Sequence, residues 1–546
     1  MSQTDSRPED TGVLVVGAGP TGLTLGIDLA QRGVPCRIIE AATERPVNPR
    51  CNTTSARSME IFRRLGLADD VRKAGLPGGY PTSVQYRTNL RGPELFRITL
   101  PSSGEVLGGA GRTRWPTPEP QHRISQLYLE PILEQHARQT AGLTIERGCR
   151  LTDLRQHPDY VEAVVESSGQ TRVLRCAYVV GCDGAHSAVR RNLGIRYQGV
   201  EAIQKFVSTF VRSAELGRLA AADPAWTYWT FGRRQSSLIA IDGEDRWLNH
   251  VAFSPEHDTD AEDPRQLLEE AAGGPVEHEV IGVVRWTGRQ LVAESYQQGR
   301  VFLAGDAAHI WIPVGGFGMN AGIQDAVTLG WMLAAVHRGW APPELLNAYE
   351  LERQPIGEQF AAAVGRAARA SFAEIPPGLH APGEAGERAR SEFTQRLAAT
   401  EPHRYSPDGF SFGYHYAGSP LVLGGDQQAA IEMGIYRDQA RPGFRLPHVW
   451  LPDGRSVLDA LGPDFTLIRT GDPANAGDTD AWAAAATELG LPLTVLGLPA
   501  RWPERFPAEL ILVRPDQHVA WMGAAGTRSS DVLSVVIGRR LVSPAP

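Results

Sequence analysis

The sequence predicts a mixed α/β protein of several domains, and three stretches of the chain carry this prediction. Each stretch contains a short apolar strand that ends in glycine, an acidic residue and a helix. The stretches lie at 13–40, 177–195 and 300–336. Strand, glycine turn and helix in this order are typical of a Rossmann-like nucleotide-binding domain.

The first stretch gives each of its glycines a separate physical task. Its residues 13–16 form a buried strand, because the run is β-branched and too short for a helix. Gly17 allows the tight turn that follows, Gly19 lets the backbone approach a pyrophosphate, and Gly22 lets the next helix pack closely on the strand. That helix is predicted over 21–31, and its N-terminus offers free N–H groups to phosphates.

A second strand is predicted over 34–40; it follows Gly33 and ends at Glu40, eighteen residues after Gly22. A carboxylate here accepts hydrogen bonds from ribose hydroxyls and suits FAD or NAD, whereas NADP needs an arginine for its 2′-phosphate. The next loop carries Arg50, which either clamps a phosphate or ribityl oxygen or lies in solvent. A glycine-rich turn without a ligand is the alternative for the whole unit.

Composition limits the class of protein. A chain of 546 residues should form roughly two to four domains. The net charge of −8 argues against a nucleic-acid partner. Five cysteines without a CxxC pair argue against a disulfide framework or a metal site. Since no signal-peptide core or apolar run of membrane length is visible, we expect a soluble, cytoplasmic protein with no membrane partner.

The second stretch combines an acid and a glycine at the end of a strand. The strand is predicted over 178–180, Asp183 and Gly184 follow it, and a helix opens near Ser187. An acid beside a helix start suits contact with a dinucleotide. Asp-Gly is also a common turn that binds nothing, so this stretch alone leaves both interpretations open.

The third stretch places an acid before a glycine-rich loop. A strand is predicted over 301–304, Gly305 and Asp306 follow, and the loop containing Pro313 leads into a helix over 320–336. Asp306 can accept a hydrogen bond from a polyol hydroxyl. The loop and the helix N-terminus favour an electron-rich group, and the N1–C2 carbonyl edge of a reduced flavin is such a group.

Residues 195–285 alternate in the manner of β-strands and are rich in aromatic side chains. Such a sheet can form the floor of a pocket for a flat apolar substrate, or its rings can simply be core. The period of two predicts Trp226 and Tyr228 on one face and Trp229 and Phe231 on the other.

The last third of the chain divides in two. Residues 376–429 are rich in Ala, Gly, Pro and Glu and predict a helical linker. After it, the runs FTLIR, LTVLGL and LILV read as strands, with a helix at AWAAAATELG between the first two. The tail is therefore predicted to be a separate α/β unit.

The GxGxxG unit with Glu40, then Cys182-Asp183-Gly184, then the GDAAH run at 305–309 resemble the class A flavoprotein monooxygenases of the p-hydroxybenzoate and phenol hydroxylase fold. The resemblance spans residue 11 to about 375. The tail from about 430 resembles the thioredoxin-like C-terminal domain of the phenol hydroxylase branch. The predicted domains are an FAD-binding domain (11–75, 111–195 and 286–375), a substrate-binding β-sheet domain (76–110 and 196–285), a helical linker (376–429) and the thioredoxin-like domain (430–546).

The resemblance implies one noncovalently held FAD. The residues that would hold it are Gly17, Gly19, Pro20, Gly22, Glu40, Arg50, Gln126, Asp183, Gly305, Asp306, Pro313, Gly318, Met319 and Asn320. Pro313 should also lie near the reacting face of the flavin, and His309 is either structural or catalytic. Tyr228 and His250 are the candidates for a base that deprotonates a phenol.

The reaction that the resemblance implies is reduction of FAD by NADPH or NADH, followed by O2 addition to give a C4a-hydroperoxide that hydroxylates a phenolic or polyketide-type aromatic. Baeyer–Villiger or ring-modifying oxygenation, and oxidase or reductase chemistry on the same fold, remain alternatives. A halogenase is disfavoured because the paired-tryptophan WxWxIP motif is incomplete. A nonenzymatic nucleotide-binding protein would leave the third stretch without a task. We expect a monomer or a homodimer.

Overall fold

The structure, a computed structural model, describes residues 9–108, 115–371, 375–405, 408–425, 431–432, 434–471, 477–499 and 501–541. Within this part of the chain it contains twenty strands in three sheets, together with fifteen α-helices. The mixed α/β class predicted from the sequence is confirmed.

The strands follow in chain order. They are β1 (Glu9–Val16), β2 (Cys36–Glu40), β3 (Val84–Arg87), β4 (Glu94–Ile98), β5 (Leu143–Arg147), β6 (Cys149–Gln156), β7 (Val161–Ser167), β8 (Gln170–Gly181), β9 (Tyr197–Arg212), β10 (Thr227–Phe231), β11 (Gln235–Ala240), β12 (Arg246–Phe253), β13 (Glu279–Ala293), β14 (Gln297–Gln298), β15 (Val301–Leu303), β16 (His309–Trp311), β17 (Phe465–Thr470), β18 (Leu493–Leu498), β19 (Leu510–Val513) and β20 (Val519–Gly523).

The helices are α1 (Pro20–Gln31), α2 (Ala56–Arg64), α3 (Ala68–Arg72), α4 (Ser103–Leu107), α5 (Gln126–Gln139), α6 (Ala188–Asn192), α7 (Ala214–Ala221), α8 (Pro264–Ala272), α9 (Phe317–His337), α10 (Asn347–Ser371), α11 (Gly383–Thr400), α12 (Pro402–Tyr405), α13 (Asp408–Phe412), α14 (Gly477–Leu489) and α15 (Ser529–Val536).

The first sheet positions the three predicted stretches side by side. Its order is β14-β15-β8-β1-β2-β5, with the β6–β7 pair attached through β7. Strands β15, β8, β1, β2 and β5 run parallel. The carboxyl ends of β1, β8 and β15 therefore meet at one edge, which is where open α/β sheets bind ligands.

The second sheet is antiparallel apart from one parallel pair, β3 with β10, and has the order β16-β13-β9-β12-β11-β10-β3-β4. Its long central pair runs from Tyr197 opposite Ala293 to Arg212 opposite Glu279. At one edge β16 pairs with β13. Because β16 follows directly after the third stretch, this pairing fixes the second sheet against the carboxyl edge of the first.

The third sheet has the order β18-β17-β19-β20. Strands β17 and β18 are parallel and are joined through α14, whereas β19 and β20 add antiparallel strands on the other side. This arrangement confirms the thioredoxin-like prediction for the tail. The residue bounds of the predicted domains stay a prediction.

A buried turn joins the third sheet to the first domain. Both terminal guanidinium nitrogens of Arg514 donate to the carboxylate of Glu352 on α10, at 2.6 and 2.8 Å, and one also donates to Asp516 at 2.7 Å. Arg57 on α2 donates to the backbone oxygen of Asp516 and to Gln517, each at 2.6 Å. Hydrogen bonds and ion pairs thus attach the turn between β19 and β20 to α2 and α10.

Candidate active site

A long cleft opens at the carboxyl edge of the first sheet. Of the residues that the sequence predicted to hold a cofactor, its walls contain Gly17, Gly19, Pro20, Glu40, Arg50, Gln126, Asp183, Asp306, Pro313, Gly318 and Met319. Gly22, Gly305 and Asn320 lie behind these walls. The three stretches therefore meet in one site, as parallel strands that end at one edge require.

The three glycines after β1 differ in what surrounds them. Gly17 has φ +109°, and a Cβ on it would lie 2.3 Å from the backbone oxygen of Cys182. A Cβ on Gly22 would lie 2.0 Å from the backbone oxygen of Gly17, whereas a Cβ on Gly19 would meet nothing within 4 Å. Turn and packing thus require Gly17 and Gly22, while Gly19 faces open space at the start of α1.

Glu40 reaches back across the glycine turn. Its carboxylate accepts hydrogen bonds from the backbone N–H of Ala18 at 2.9 Å and of Ala42 at 2.8 Å. These two bonds hold the carboxylate at the cleft edge. Each oxygen keeps a further lone pair, which can accept from a hydroxyl of a ligand.

Asp183 supplies the main test of whether the cleft fits FAD. One carboxylate oxygen accepts from the backbone N–H of Ala188 at 2.6 Å and of Val189 at 3.2 Å, so that Asp183 caps the start of α6. The other oxygen is buried and has no partner within the described residues. Burial raises the pKa of this carboxyl. Because buried polar atoms are normally hydrogen-bonded, the orphaned oxygen fits a ligand hydroxyl in the cleft.

The glycine-rich loop ends in an unusual helix start. Gly315 and Gly316 have φ +78° and +73°, and α9 begins at Phe317, three residues before the predicted start. Gly318 and Met319 consequently lie in the first turn of α9, where backbone N–H groups have no intrahelical acceptor. These groups and the helix dipole face the cleft and favour an electron-rich group there. Asp306 is exposed at the same wall.

The side chain of Asn320 is fully used inside the protein. Its oxygen accepts from the Ser55 N–H at 2.8 Å and the Ser58 hydroxyl at 2.7 Å. Its nitrogen donates to the backbone oxygens of Thr53 and Gly316, at 3.0 and 2.7 Å. Asn320 therefore ties the loop before α2 to the start of α9, and only its backbone remains for a cofactor.

His309 is not among the described residues that line the cleft, and its contacts favour the structural one of its two predicted roles. Its Nε2 lies 2.8 Å from the carboxylate of Asp325, and its ring stacks on Trp311 with centroids 4.3 Å apart. Asp325 also accepts from the Gly305 N–H at 3.0 Å and from Arg353 at 2.6 Å. Arg353 and His309 lower the pKa of Asp325 to about 2 against the effect of burial. This buried network holds Gly305 and leaves His309 a structural role.

A second cavity, which we call the aromatic cavity, adjoins the cleft. Aromatic and apolar side chains form much of its wall, as is typical of small-molecule sites. Four residues line both spaces, namely Arg50, Cys51, Pro313 and Gly316. The remaining wall is Asn52, Thr53, Gln121, Arg123, Phe206, Trp226, Thr227, Trp229, Ser237, Ile239, His250, Trp286, Ile312, Gly315 and Tyr405. No Asp or Glu is among these described residues.

Tyr228 faces away from the aromatic cavity, and its prediction as a substrate base is wrong. Its hydroxyl donates to the backbone oxygen of Asp223 at 3.0 Å and accepts from the Ala225 N–H at 2.8 Å. Trp226 does line the cavity. It precedes the first residue of β10, so the alternation of side chains along that strand does not apply to it. The prediction that Trp226 and Tyr228 share a face is therefore also wrong.

His250 does line the aromatic cavity and belongs to a chain of hydrogen bonds. The indole N–H of Trp286 donates to Ser208 Oγ at 2.7 Å, and Ser208 Oγ lies 2.6 Å from His250 Nδ1. Because indole only donates, the hydroxyl proton of Ser208 can go to Nδ1, and the ring proton of His250 then lies on Nε2. Burial lowers the pKa of His250 to about 4. At neutral pH, the His250 ring is therefore uncharged.

Arg123 is a buried cation in the wall of the same cavity. Its guanidinium lies 3.6 Å from the centroid of the Trp226 ring, and Nη1 donates to Thr53 Oγ1 at 2.7 Å. Its Nε has no partner within the described residues. Burial lowers the pKa of Arg123, and only Tyr405 and Cys51 act on it in the opposite direction.

Sequence reasoning missed Arg123, Ser208, Trp286 and Tyr405. Arg123 stands in a nonhelical segment of ordinary polarity, and Tyr405 comes from the segment predicted to be a linker. Neither position carries a periodic signal. The Ser208–His250 contact follows from their direct pairing across β9 and β12, which only the register of the sheet fixes.

The two adjoining spaces, the three strand-end motifs and the thioredoxin-like tail define an FAD-dependent aromatic monooxygenase. Comparison with known proteins agrees. A family model described as FAD binding domain matches residues 10–364, and one described as aromatic-ring hydroxylase, C-terminal, matches residues 439–543. The chain belongs to this family of FAD-binding aromatic-ring hydroxylases.

Individual relatives are similar along nearly the whole chain. The FAD-dependent monooxygenase apdD of Emericella nidulans is 32% identical, over 94% of this chain and 87% of the relative. Aklavinone 12-hydroxylase RdmE of Streptomyces purpurascens is 31% identical, over 94% and 95%. The solved structure of the rebeccamycin biosynthetic enzyme RebC with reduced flavin superimposes with a TM-score of 0.88 at 34% identity, covering 97% of this chain and 100% of that one.

FAD is the cofactor of this protein, and a nicotinamide nucleotide is its co-substrate.

In the described part of the chain, no helix combines the length and apolarity that a membrane crossing needs.

Proposed function

We propose that this protein hydroxylates a phenolic, polyketide-type aromatic compound, using O2 and NADPH or NADH. The observation that carries the proposal is the shared wall between the FAD cleft and the aromatic cavity, formed around Pro313 and Gly316. A ring bound in the cavity would lie directly against the flavin. The similarity to an aklavinone hydroxylase supports a fused-ring substrate.

We assign the cofactor contacts as follows. Gly19 and the start of α1 would hold the pyrophosphate, and Glu40 the adenosine ribose. Asp183, through its orphaned oxygen, and Asp306 would accept from hydroxyls of FAD. Arg50 and Gln126 would contact the middle of the molecule. Gly17, Gly22, Gly305 and Asn320 would act by shaping the backbone around it.

Bound FAD supplies the redox and oxygen chemistry. The N–H groups of Gly318 and Met319 would stabilise negative charge on the flavin ring, because they open a helix whose dipole points the same way. Pro313 and Gly316 line both spaces and would lie beside the place where the flavin ring meets the substrate. Phe206 and Trp286 stack with centroids 4.1 Å apart and would help to exclude water.

His250 would position the substrate and not deprotonate it. Its Nε2–H can donate to a phenol or quinone oxygen in the cavity. Burial lowers the pKa of His250 to about 4, so its ring is a weak base at neutral pH. The predicted role of His250 as a base therefore gives way to the role of a donor.

Two further predictions, on the location of the protein and on its state of assembly, stay proposals. All five cysteines are free, which suits a reducing cytoplasm. A monomer or a homodimer remains the expected state of assembly.

Anaerobic stopped-flow absorbance at the flavin band tests the proposal. Holoprotein is mixed with NADPH or NADH, with and without a panel of hydroxylated naphthalenes and anthraquinones, and then with O2. We expect a panel member to accelerate flavin reduction and to gain one oxygen by mass spectrometry. Fast reduction without any aromatic, and product without added oxygen, would instead indicate an oxidase or reductase.

Replacement of Gly19 tests the cofactor site separately. Gly19→Ala should fold, since its Cβ has open space within the protein, but should purify with less FAD because the methyl group occupies the pyrophosphate approach. Gly526→Ala, where a Cβ also meets nothing within 4 Å, is the matched control. Equal FAD content in both variants would remove Gly19 from the site.

A further inference from the structure

Buried arginines in this protein almost all have a carboxylate partner. Six arginines are buried among the described residues, and five of them pair with Asp or Glu at 3.0 Å or less. The five are Arg32, Arg57, Arg353, Arg445 and Arg514. The sixth is Arg123, which has no acidic partner within the described residues and is only 6% exposed.

The surroundings of Arg123 leave its positive charge uncompensated. The partners that the structure gives it are the Thr53 hydroxyl and the face of the Trp226 ring, both neutral. The wall of the aromatic cavity adds Arg50 and contributes no carboxylate among its described residues. Burying an unpaired charge is costly, so a site that retains one has an anion to meet.

We propose that Arg123 forms an anion subsite in the aromatic cavity and that the substrate presents a carboxylate to it. This inference rests on the proposed function and names the substrate class as aromatic carboxylic acids that also carry a phenol. Nη1 of Arg123 is held by Thr53 and Nε is buried without a partner, which leaves Nη2 of the guanidinium fork to donate to a carboxylate oxygen in the cavity.

The subsite is distinct from the cofactor cleft. Arg123 lines the aromatic cavity and is absent from the cleft wall, whereas Arg50 lines both. A carboxylate at Arg123 would anchor one end of a flat substrate beside Trp226. The stacked Trp226 ring fixes the plane of the guanidinium and thereby the direction in which the carboxylate must lie.

The test is a titration of the FAD-loaded protein at neutral pH with 3-hydroxy-2-naphthoate and with 3-hydroxy-2-naphthamide. The two probes share the ring and the phenol and differ in charge. Binding is followed by the perturbation of the flavin band and by calorimetry. We expect the naphthoate to bind at least tenfold more tightly than the naphthamide, and Arg123→Met to reduce this ratio to about one.

Two further variants guard the test against a folding defect. Arg123→Lys keeps the charge but not the fork and should retain part of the preference. Thr53→Val frees Nη1 and should weaken the preference while the protein still folds and holds FAD. Equal binding of both probes to the wild type, no binding of the naphthoate, or an unchanged preference in Arg123→Met would each overturn the anion subsite.

Failure of this inference can be told apart from failure of the proposed function. Hydroxylation of the naphthamide as efficiently as of the naphthoate would overturn the subsite and support the monooxygenase. Selective, Arg123-dependent binding of the naphthoate, with NADPH oxidised and neither ring oxygenated, would support the subsite and contradict the proposed reaction.

Discussion

Two regions of this protein bury arginine in opposite ways. Beneath the turn that joins the thioredoxin-like tail to the FAD domain, Arg514 is fully buried and meets the carboxylates of Glu352 and Asp516. In the wall of the aromatic cavity, Arg123 is nearly as buried and meets a hydroxyl and an indole ring. The same side chain is thus compensated in one place and not in the other.

The difference between the two arginines indicates that Arg514 serves the fold and Arg123 serves binding. At the tail, the charges face each other within the chain, so the pairing holds two domains together whether or not a ligand is bound. At Arg123 the chain supplies the cation alone. A charge that the fold leaves unpaired inside a cavity is best explained by what the cavity binds.

Removal of a paired arginine should produce the largest effect. Arg514→Met leaves the buried carboxylates of Glu352 and Asp516 without their cation, and we expect a loss of about 3–5 kcal/mol in the free energy of unfolding. Urea denaturation followed by tryptophan fluorescence measures it. The control is Arg540→Met, which removes an exposed pair with Asp531 and should cost less than about 1 kcal/mol. A cost below 1 kcal/mol for Arg514→Met would show that the tail does not depend on this pair.

The same substitution at the unpaired arginine should cost far less stability. Arg123→Met leaves no carboxylate behind and relieves a buried charge, although it loses the stack on Trp226. We expect the free energy of unfolding to change by less than about 1 kcal/mol. Denaturation of the two variants in parallel checks the contrast, which disappears if Arg123→Met is as damaging as Arg514→Met.

A carboxylate introduced next to Arg123 should turn this unpaired arginine into a paired one. Thr53→Asp places a carboxylate where Thr53 Oγ1 already accepts from Arg123 at 2.7 Å. We expect binding of 3-hydroxy-2-naphthoate to weaken at least tenfold, because the new carboxylate occupies the cation. Thr53→Asn has nearly the same shape without the charge and serves as the control. Equal weakening in both variants would point to a steric effect instead.

The pH dependence of binding should be the smallest effect. His250 has a pKa of about 4 and is neutral between pH 5.5 and 8, while Arg123 stays charged. The affinity for the naphthoate should therefore change less than about twofold across this range. If His250 were the cation of the site, its loss of a proton as the pH rises would weaken binding about tenfold, and calorimetry at several pH values distinguishes the two.

What the sequence predicted well is set by the local backbone. The turn after β1 needs a positive φ at Gly17 and a missing side chain at Gly22, and these needs are written into residue type and spacing. The strand ends at Asp183 and Asp306 follow from the same logic. The start of α9 was predicted three residues late, because Gly315 and Gly316 adopt left-handed conformations that bring the helix forward.

What the sequence could not predict depends on distant segments. Arg123 is informative only once its neighbours are known to lack a carboxylate, and Tyr405 joins the cavity from nearly three hundred residues away. The resemblance makes Tyr228 a candidate base, whereas only the folded chain shows that its hydroxyl bonds to the backbone of Asp223 and Ala225. The GDAAH motif makes His309 a candidate for the site. In the structure it pairs with Asp325, which Arg353 also contacts, in the core.

The most direct test of the account measures the stability of FAD-loaded wild type and Arg123→Met with and without 3-hydroxy-2-naphthoate. At a concentration of one hundred times its Kd, the naphthoate should stabilise the wild type by about 2.7 kcal/mol. Tenfold weaker binding should leave the variant about 1.3 kcal/mol short of this gain. This difference in stabilisation would mean that the bound naphthoate provides the carboxylate partner that Arg123 lacks within the described part of the chain. An equal gain in both proteins would contradict that claim.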